Sequence, residues 1–409
     1  MQNYFDVLII GAGPAGLSMA KGLSQLNLKV LIVEKNSNES IENPGPDGRD
    51  IALTHLSKNI LSELGAWEKF NQEDISEINE AKVFNGESSY FLGFSTKIRD
   101  KLAYIISNHH IRKAAYETVK DDSNITIITD NIVDNFVLDD DRVEAKISNG
   151  MEVVCKLLIA ADTRFSGTRK KVGISASMKD FGKSMLVCQI NHDLPHNNVA
   201  NECFLYGNTL AVLPLNGNRS SVILTAKPEE IKRVQGLSKK QFNEYIQNLF
   251  QHRYGKMILD SERFTYPLVA VYAHKFTEKR FALIGDAAVG MHPVTAHGFN
   301  FGLKAQHSLI HEIKRALNRK GDIASETVLR NYQKNHSKAT RPLFLATNKI
   351  VDIYTNDSLP AKITRDFLLH AANNVLPIKN FITSKLLEKP NNIGFKPLTA
   401  LSKKILQRV

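Results

Sequence analysis

Cysteine is nearly missing from this 409-residue chain; only Cys155, Cys188 and Cys203 occur. Their spacing fits neither a CxxC redox pair nor a zinc-ligand pattern, and each sits in an apolar, strand-like run. The expectation is buried, reduced thiols in a cytosolic protein, with no metal bound. Long hydrophobic runs are also lacking. No stretch approaches the ~18 apolar residues that read as a membrane-spanning helix, so an integral membrane protein is not expected. Met1 to Asp6 carries no positive charge and the first apolar run breaks at Gly11, so no secretory signal is expected either. Internal repeats and low-complexity segments are absent, which argues against solenoids and disordered tracts. What is present is ordinary for a globular chain: 43% hydrophobic and 23% charged residues, enough for a sizeable core.

Charge of one sign is in excess. The formal net charge is +11, and it concentrates at the end: from Ala361 onward nine basic residues face two acidic ones. Such a tail suits an anionic membrane surface or an acidic protein partner. No nucleic-acid-binding module accompanies it, so nucleic acid is not an expected partner.

The N-terminus carries the first chemical signal. Val7 to Ile10 is a short continuous apolar run, as in a strand buried on both faces. Gly11, Gly13 and Gly16 then give G-x-G-x-x-G, helical spacing follows at Leu17, Ala20 and Leu23, and a second apolar run from Leu28 to Val33 ends at Glu34. This strand–turn–helix–strand unit binds dinucleotides. Gly11 permits the sharp turn, Gly13 lets backbone approach a pyrophosphate, and Gly16 lets helix and strand pack closely. Ala15 lies in the first helical turn, whose free N–H groups face the phosphates. Glu34, followed by Lys35, supplies a carboxylate for ribose hydroxyls. The motif alone does not separate NAD from FAD.

Further along, residues 36–50 read as a loop, and "RDIALTHLSKNILSELGAW" as a helix capped at Gly65. Lys82 to Phe94 alternates as a strand, "NHHIRKAAYETV" reads as a helix, and Ile125 to Ile147 as strands joined at the acidic turn Asp139, Asp140, Asp141. "VCKLLIAAD" reads as one buried strand ending at Asp162. From Lys183 to Ala226 longer alternating strands predict a mostly antiparallel sheet. Phe281 to Leu309, "FALIGDAAVGMHPVTAHGFNFGLKAQHSL", places an acid, histidines and glycines between a buried strand and a helix spanning Phe299 to Leu317. His307 and His311 are half a metal site at most and read as helix surface. The final ~65 residues read as helices with proline breaks.

Taken together, these segments resemble the FAD-dependent aromatic hydroxylases of the p-hydroxybenzoate hydroxylase class. Three fingerprints carry the resemblance: the glycine-rich turn with Glu34; "ADTRFSGTRKKVGI" with Asp162, Arg164 and Arg169; and "GDAAVGMHPVTAHGFN". "GRDIALTHLS" and "SNHHIRKAA" add Arg49 and Arg112. Within that class the chain is most similar to the ubiquinone-biosynthesis hydroxylases of the UbiH/UbiF/UbiM kind, and "ADTRFSGTRKKVGI" with "HPVTAHGFN" points to the UbiM branch. Two departures stand out: Thr163 replaces the glycine of the second fingerprint, and His297 stands where glutamine is common.

The resemblance implies an α/β fold: a Rossmann-like FAD-binding domain from residues 1–74, 97–177 and 267–340, an inserted mostly antiparallel β-sheet substrate domain from 75–96 and 178–266, and a basic helical region at 341–409. It implies that Gly11, Gly13, Ala15, Gly16, Glu34, Lys35, Arg49, Arg112, Asp162, Asp286, Gly298, Phe299 and Asn300 hold FAD. Asp286 would meet the ribityl chain, and the helix after Gly298 would face the flavin ring, with Asn300 adding a hydrogen bond. His292 and Pro293 would lie beside the flavin, and Phe204, Tyr206, Leu213 and Pro214 would wall an apolar substrate pocket. NAD(P)H is the implied electron donor, O2 the oxidant, a flavin C4a-hydroperoxide the oxygen-transferring species, and a polyprenylated ubiquinone precursor the substrate. Location would be cytoplasmic, peripheral to the inner membrane, with other quinone-biosynthesis proteins as partners. Hydroxylation of a small soluble aromatic and a flavin-binding scaffold role are the alternatives.

Overall fold

Four short apolar runs, Val7–Ile10, Val30–Val33, Leu157–Ala160 and Phe281–Leu283, lie side by side and in parallel. Nearly every residue in them is fully buried: helices pack on the sheet, and the strands Val133–Leu138, Val143–Ile147 and Glu152–Cys155 of a separate four-stranded sheet share its core. Ile125–Ile128 extends the sheet beyond Val30–Val33, and the short strand Thr277–Glu278 closes its other edge antiparallel. The computed structural model describes residues 3–86, 88, 90–95, 101–205, 207–292 and 298–355.

Two helices flank the parallel sheet closely. Pro14–Ser24 follows the glycine-rich turn, and Gly298–Asn318 packs against it. Leu303 and Ile313 of the second are fully buried, and Ile310 nearly so. A side chain on Gly22 would collide with Ile310 and the Gln306 amide, so glycine is what lets the two helices meet.

A second, nine-stranded sheet holds Glu80–Asn85, Phe91–Ser95, Ala176–His192, Val199–Leu205, Asn208–Leu215, Arg219–Ala226, Met257–Leu259, Phe264–Ala273 and Val289–Gly290. All its pairings are antiparallel except that of Val199–Leu205 with Glu80–Asn85. One face packs under the helices Pro228–Gln235 and Lys239–Leu249, with Cys188, Leu210, Val212, Val222 and Leu224 sealed beneath them. The other, inner face turns toward a three-stranded sheet of Asp50–Leu53, Ala103–Ser107 and Ser76–Ile78.

Several elements differ from their sequence-based boundaries. Asp50–Leu53 is a strand, and the helix begins only at His55, where the Thr54 hydroxyl accepts from the Ser57 N–H. Gly65 lies just beyond that helix with φ of +75°, as expected of its terminator. "VCKLLIAAD" is two strands in two sheets, Glu152–Cys155 and Leu157–Ala160, because the chain switches layers at Lys156. The Val133–Leu138 and Val143–Ile147 strands pair as a hairpin whose turn holds the three aspartates. The expected division at 178, 267 and 341 cuts through continuous elements: Ala176–His192, Phe264–Ala273 and the helix Glu326–Thr355. That helix runs through Pro342, where a break was expected; the buried side chains of Tyr332, His336, Thr340 and Phe344 hold it across the lost hydrogen bond. The basic tail lies outside the described residues.

Candidate functional site: a dinucleotide cradle facing an apolar sheet

The strands Val7–Ile10, Val30–Val33, Leu157–Ala160 and Phe281–Leu283 all end at one edge of the parallel sheet. Gly11, Glu34, Asp162 and Asp286 follow those ends and so gather along it. Ligands of open α/β sheets bind at this carboxyl edge.

Each glycine of the first turn has its own reason. Gly11 takes φ of +108°, and a Cβ there would stand 2.6 Å from the Ala161 carbonyl oxygen. A Cβ on Gly16 would overlap the Gly11 carbonyl. Gly13 is different: nothing lies within 4 Å of where its Cβ would be. It is the N-cap of Pro14–Ser24, and no side chain caps that helix. The first-turn N–H groups, those of Ala15 and Gly16 among them, therefore open onto free space at the positive end of the helix. Beside it, Glu34 is buried, with one carboxylate oxygen accepting from Ala12 N–H at 2.7 Å and the other from the Asn36 backbone and amide. Lys35 is exposed next to it.

Asp162 accepts from the Thr168 N–H and hydroxyl through one oxygen, both at 3.3 Å. Its other oxygen is buried with no hydrogen-bond partner among the described residues. Arg164 forks Asp286 at 2.9 Å and 3.2 Å, and the buried Arg169 guanidinium donates to the Arg164 and Ala287 carbonyls. The second and third fingerprints are thus tied into one loop cluster. Thr163, the departure from glycine, uses its hydroxyl to accept from the Phe165 N–H.

Arg49 turns toward Asp47, donating through Nε at 3.1 Å, and lies over the Tyr266 ring at 5.3 Å. Burial alone would raise the Asp47 carboxyl; the bonds and charge of Arg49 and the Asn108 amide outweigh it and hold it below the usual carboxylate range. Arg112 donates to the Ser40 carbonyl at 3.1 Å and so pins the short helix Asn38–Glu42 of the 36–50 loop.

Gly298 opens the long helix, with free space where a Cβ would be, and Phe299 packs among Leu53, Ile60 and Ile106. Asn300 was expected to bond a flavin. Its side chain accepts from Thr54 N–H at 3.1 Å and donates to the Ala52 carbonyl at 2.9 Å, so it stitches this helix to the Asp50–Leu53 strand. His292 is buried edge-to-face against Phe181 at 4.8 Å; burial, with Lys179 nearby, pushes its pKa down to about 4 and keeps the imidazole neutral. Pro293, His297 and Tyr206 lie outside the described residues. His307 stands 3.7 Å from Glu63 and His311 is exposed; no metal-ligand cluster occurs among the described residues.

Of the expected pocket wall, Phe204 and Leu213 lie on the inner face of the large sheet. Pro214 does not. Strand alternation puts it with Leu210 and Val212 on the helix-covered face, away from the cofactor side. Two links fix that inner face over the nucleotide-binding half: Gln189 donates to the Asp50 carboxylate at 3.2 Å, and Tyr266 donates to the Asp47 carbonyl at 2.7 Å. Sequence reasoning missed both links, and it missed Glu202 on the same face. The alternation around Phe204 was the available signal, since residues two apart share a face.

The profile of the FAD binding domain family matches residues 4–343. The chain belongs to this FAD-binding family. Ubiquinone hydroxylase UbiM of Neisseria meningitidis is 42% identical to it over 94% of this chain and 85% of its own length. Ubiquinone hydroxylase UbiL of Rhodospirillum rubrum is 27% identical, covering 91% of this chain and 87% of its own. Among solved structures, p-nitrophenol 4-monooxygenase PnpA from Pseudomonas putida has the same fold at a TM-score of 0.75, with 17% identity over 95% of this chain and 99% of that one. The cofactor is accordingly FAD, and the residues present fit it: the uncapped helix end at Gly13 offers phosphate donors, and the orphan oxygen of Asp162 is a buried acceptor awaiting a donor.

Proposed function

We propose that this chain is an FAD-dependent monooxygenase that hydroxylates the aromatic ring of a polyprenylated ubiquinone precursor. The observation that carries the reading is the 42% identity to a ubiquinone hydroxylase across 94% of the chain. Bound FAD supplies the electron transfer from NAD(P)H and the activation of O2.

The chain's own residues do the rest. The Pro14–Ser24 helix end, with Gly11, Gly13, Ala15 and Gly16, would take the pyrophosphate, and Glu34 the adenosine ribose. Asp162 and Asp286 would accept from hydroxyls of the cofactor, with Arg164 fixing Asp286. The positive end of the Gly298–Asn318 helix would stabilise negative charge on a reduced flavin ring held against it. His292 stays neutral there and adds no competing charge. The inner face of the large sheet, apolar around Phe204 and Leu213, accepts a greasy ring and keeps water away from it.

The deciding experiment is mass-spectrometric profiling of quinones in cells with and without this gene, in a strain lacking other ring hydroxylases. Accumulation of a prenylated ring short of a hydroxyl-derived group is the expected result. An unchanged quinone pool, with purified FAD-loaded protein hydroxylating a soluble phenol, replaces this substrate by a small aromatic. Tight FAD with no O2-dependent product on any ring leaves a scaffold role.

For the basic tail we propose contact with an anionic membrane surface. Full-length protein should sediment with vesicles containing acidic phospholipid at low salt, and a chain ending at residue 355 should not. Equal sedimentation of the two would remove that role and leave protein partners as its target.

A further inference from the structure

Across the inner face of the large sheet, Val83, Glu202, Ala211, Ile223, Val187 and Phe264 stand side by side on successive strands. Five are apolar and one is an acid. Above and below Glu202 on its own strand stand Ala200 and Phe204, both nearly buried. The four nearest neighbours of Glu202 on that face, Val83, Ala211, Ala200 and Phe204, are therefore all hydrocarbon.

The row is not covered. Glu202, Val83, Ala211, Ile223 and Phe264 remain half-buried, whereas Cys203, Leu210 and Val222 on the opposite face are sealed under helices. An opening thus exists above the centre of this sheet, on the side turned toward the nucleotide-binding half. Among the described residues the Glu202 carboxyl has no hydrogen-bond or ion-pair partner.

Among the described residues nothing nearby supplies a counter-charge. The inner positions of the flanking strands are Ala81, Val83 and Asn85 on one side and Thr209, Ala211 and Leu213 on the other. Lys82 and Glu80 point to the outer face. The ionisable groups that do face inward are already engaged: Arg219 with Gln189 and Asp260, Asp50 with Ser107 and Gln189, Asp47 with Arg49, and Tyr266 with the Asp47 carbonyl. Tyr104 lies under Lys58 on the facing sheet. Burial without compensation raises the Glu202 pKa to about 8. An acid tuned to that range is matched to exchanging a proton with a phenol.

We propose that Glu202 is the proton-accepting residue of the substrate pocket, taking the hydroxyl proton of the phenolic ring as that ring is attacked. The phenol O–H bond breaks, an O–H bond forms on the carboxylate, and the electron pair left on the phenol oxygen raises the nucleophilicity of the ring carbons ortho and para to it. No electrons leave the substrate in this step. The half-exposed carboxyl then returns the proton to water. The assignment rests on the hydroxylase reading above and adds to it which side chain takes the phenol proton.

The test uses FAD-loaded full-length protein, ortho-prenylphenol as the probe, and NADH or NADPH with O2. Wild-type hydroxylation should rise with pH through about 8, as the Glu202 carboxyl ionises to the form that accepts the proton. Glu202→Gln should bind FAD and probe about as well but lose about a hundredfold in hydroxylation rate. Its pH profile should lose the limb near pH 8, and Glu202→Asp should restore part of both. An active wild type with Glu202→Gln within threefold of it and an unchanged profile overturns the assignment while leaving the hydroxylase reading intact. A wild type that binds FAD but gives no O2-dependent product from any phenol removes both.

Discussion

At the scale of single residues, the glycines of the first turn separate folding from binding. Gly16 has the Gly11 carbonyl where a side chain would go, whereas Gly13 faces free space. Gly16→Val should therefore destabilise the apo protein by about 2 kcal/mol or more, as overpacking against fixed backbone does. Gly13→Val should leave apo stability within about 0.5 kcal/mol and yet abolish measurable FAD retention on desalting, because the side chain fills the phosphate approach. Thermal unfolding of the two apo variants, beside their flavin content, checks the contrast. Equal loss of stability in both would mean that Gly13 is structural.

At the scale of elements, the long Gly298–Asn318 helix is held at three places: by Gly22 against its flank, by Asn300 to the Asp50–Leu53 strand, and by the Glu326–Thr355 helix. Asn300 is 1% exposed and makes two backbone hydrogen bonds. Asn300→Ala removes the hydrogen bonds to the Thr54 N–H and the Ala52 carbonyl at a buried site, which should cost about 2–4 kcal/mol in chemical denaturation of the apo protein. If Asn300 instead served only the flavin, apo stability would be unchanged and FAD affinity alone would fall. The hairpin, the parallel strands and both flanking helices were legible in the chain because hydrophobic period and glycine placement are local signals. The split of "VCKLLIAAD" between two sheets was not, since a layer switch leaves the hydrophobic run unbroken. Nor was passage through Pro342, where tertiary packing overrides a local break.

At the scale of the whole molecule, buried titratable groups set how stability follows pH. Burial presses the pKa of His292 down to about 4 and that of His336 to about 3. The unfolded chain then binds more protons than the folded one below about pH 6.5, so their contribution is present at neutral pH and is lost as pH falls toward 3. Glu202, pushed up to about 8, acts in the opposite sense: its neutral form is favoured in the fold, and stability falls as pH rises from the unfolded carboxylate range through 8. The two histidines should prevail on the acid side and Glu202 on the alkaline side. The apo melting temperature should peak between about pH 6 and 7. Glu202→Gln should flatten the alkaline slope, and His336→Phe, filling the same stack against Tyr332 and Phe276, should soften the acid one. Melting curves from pH 4 to 9 read both slopes, and an alkaline slope unchanged in Glu202→Gln would show that its carboxyl is ionised in the empty site.

The sequence alone determined the dinucleotide turn and the positions of Glu34, Asp162 and Asp286 after buried strands; the choice of FAD came from the likeness to a known family. The turn and these positions are written in residues close together in the chain, where strand ends, glycines and acids have fixed spacing. Tertiary structure alone decided what those residues face. Asn300 is spent on a strand more than two hundred positions away, Pro214 falls on the outer side of its sheet, and Glu202 stands alone on the inner side. The physical reason is pairing register. Which face of a strand meets the cofactor depends on partners distant in sequence, and a one-residue slip would exchange wall for core.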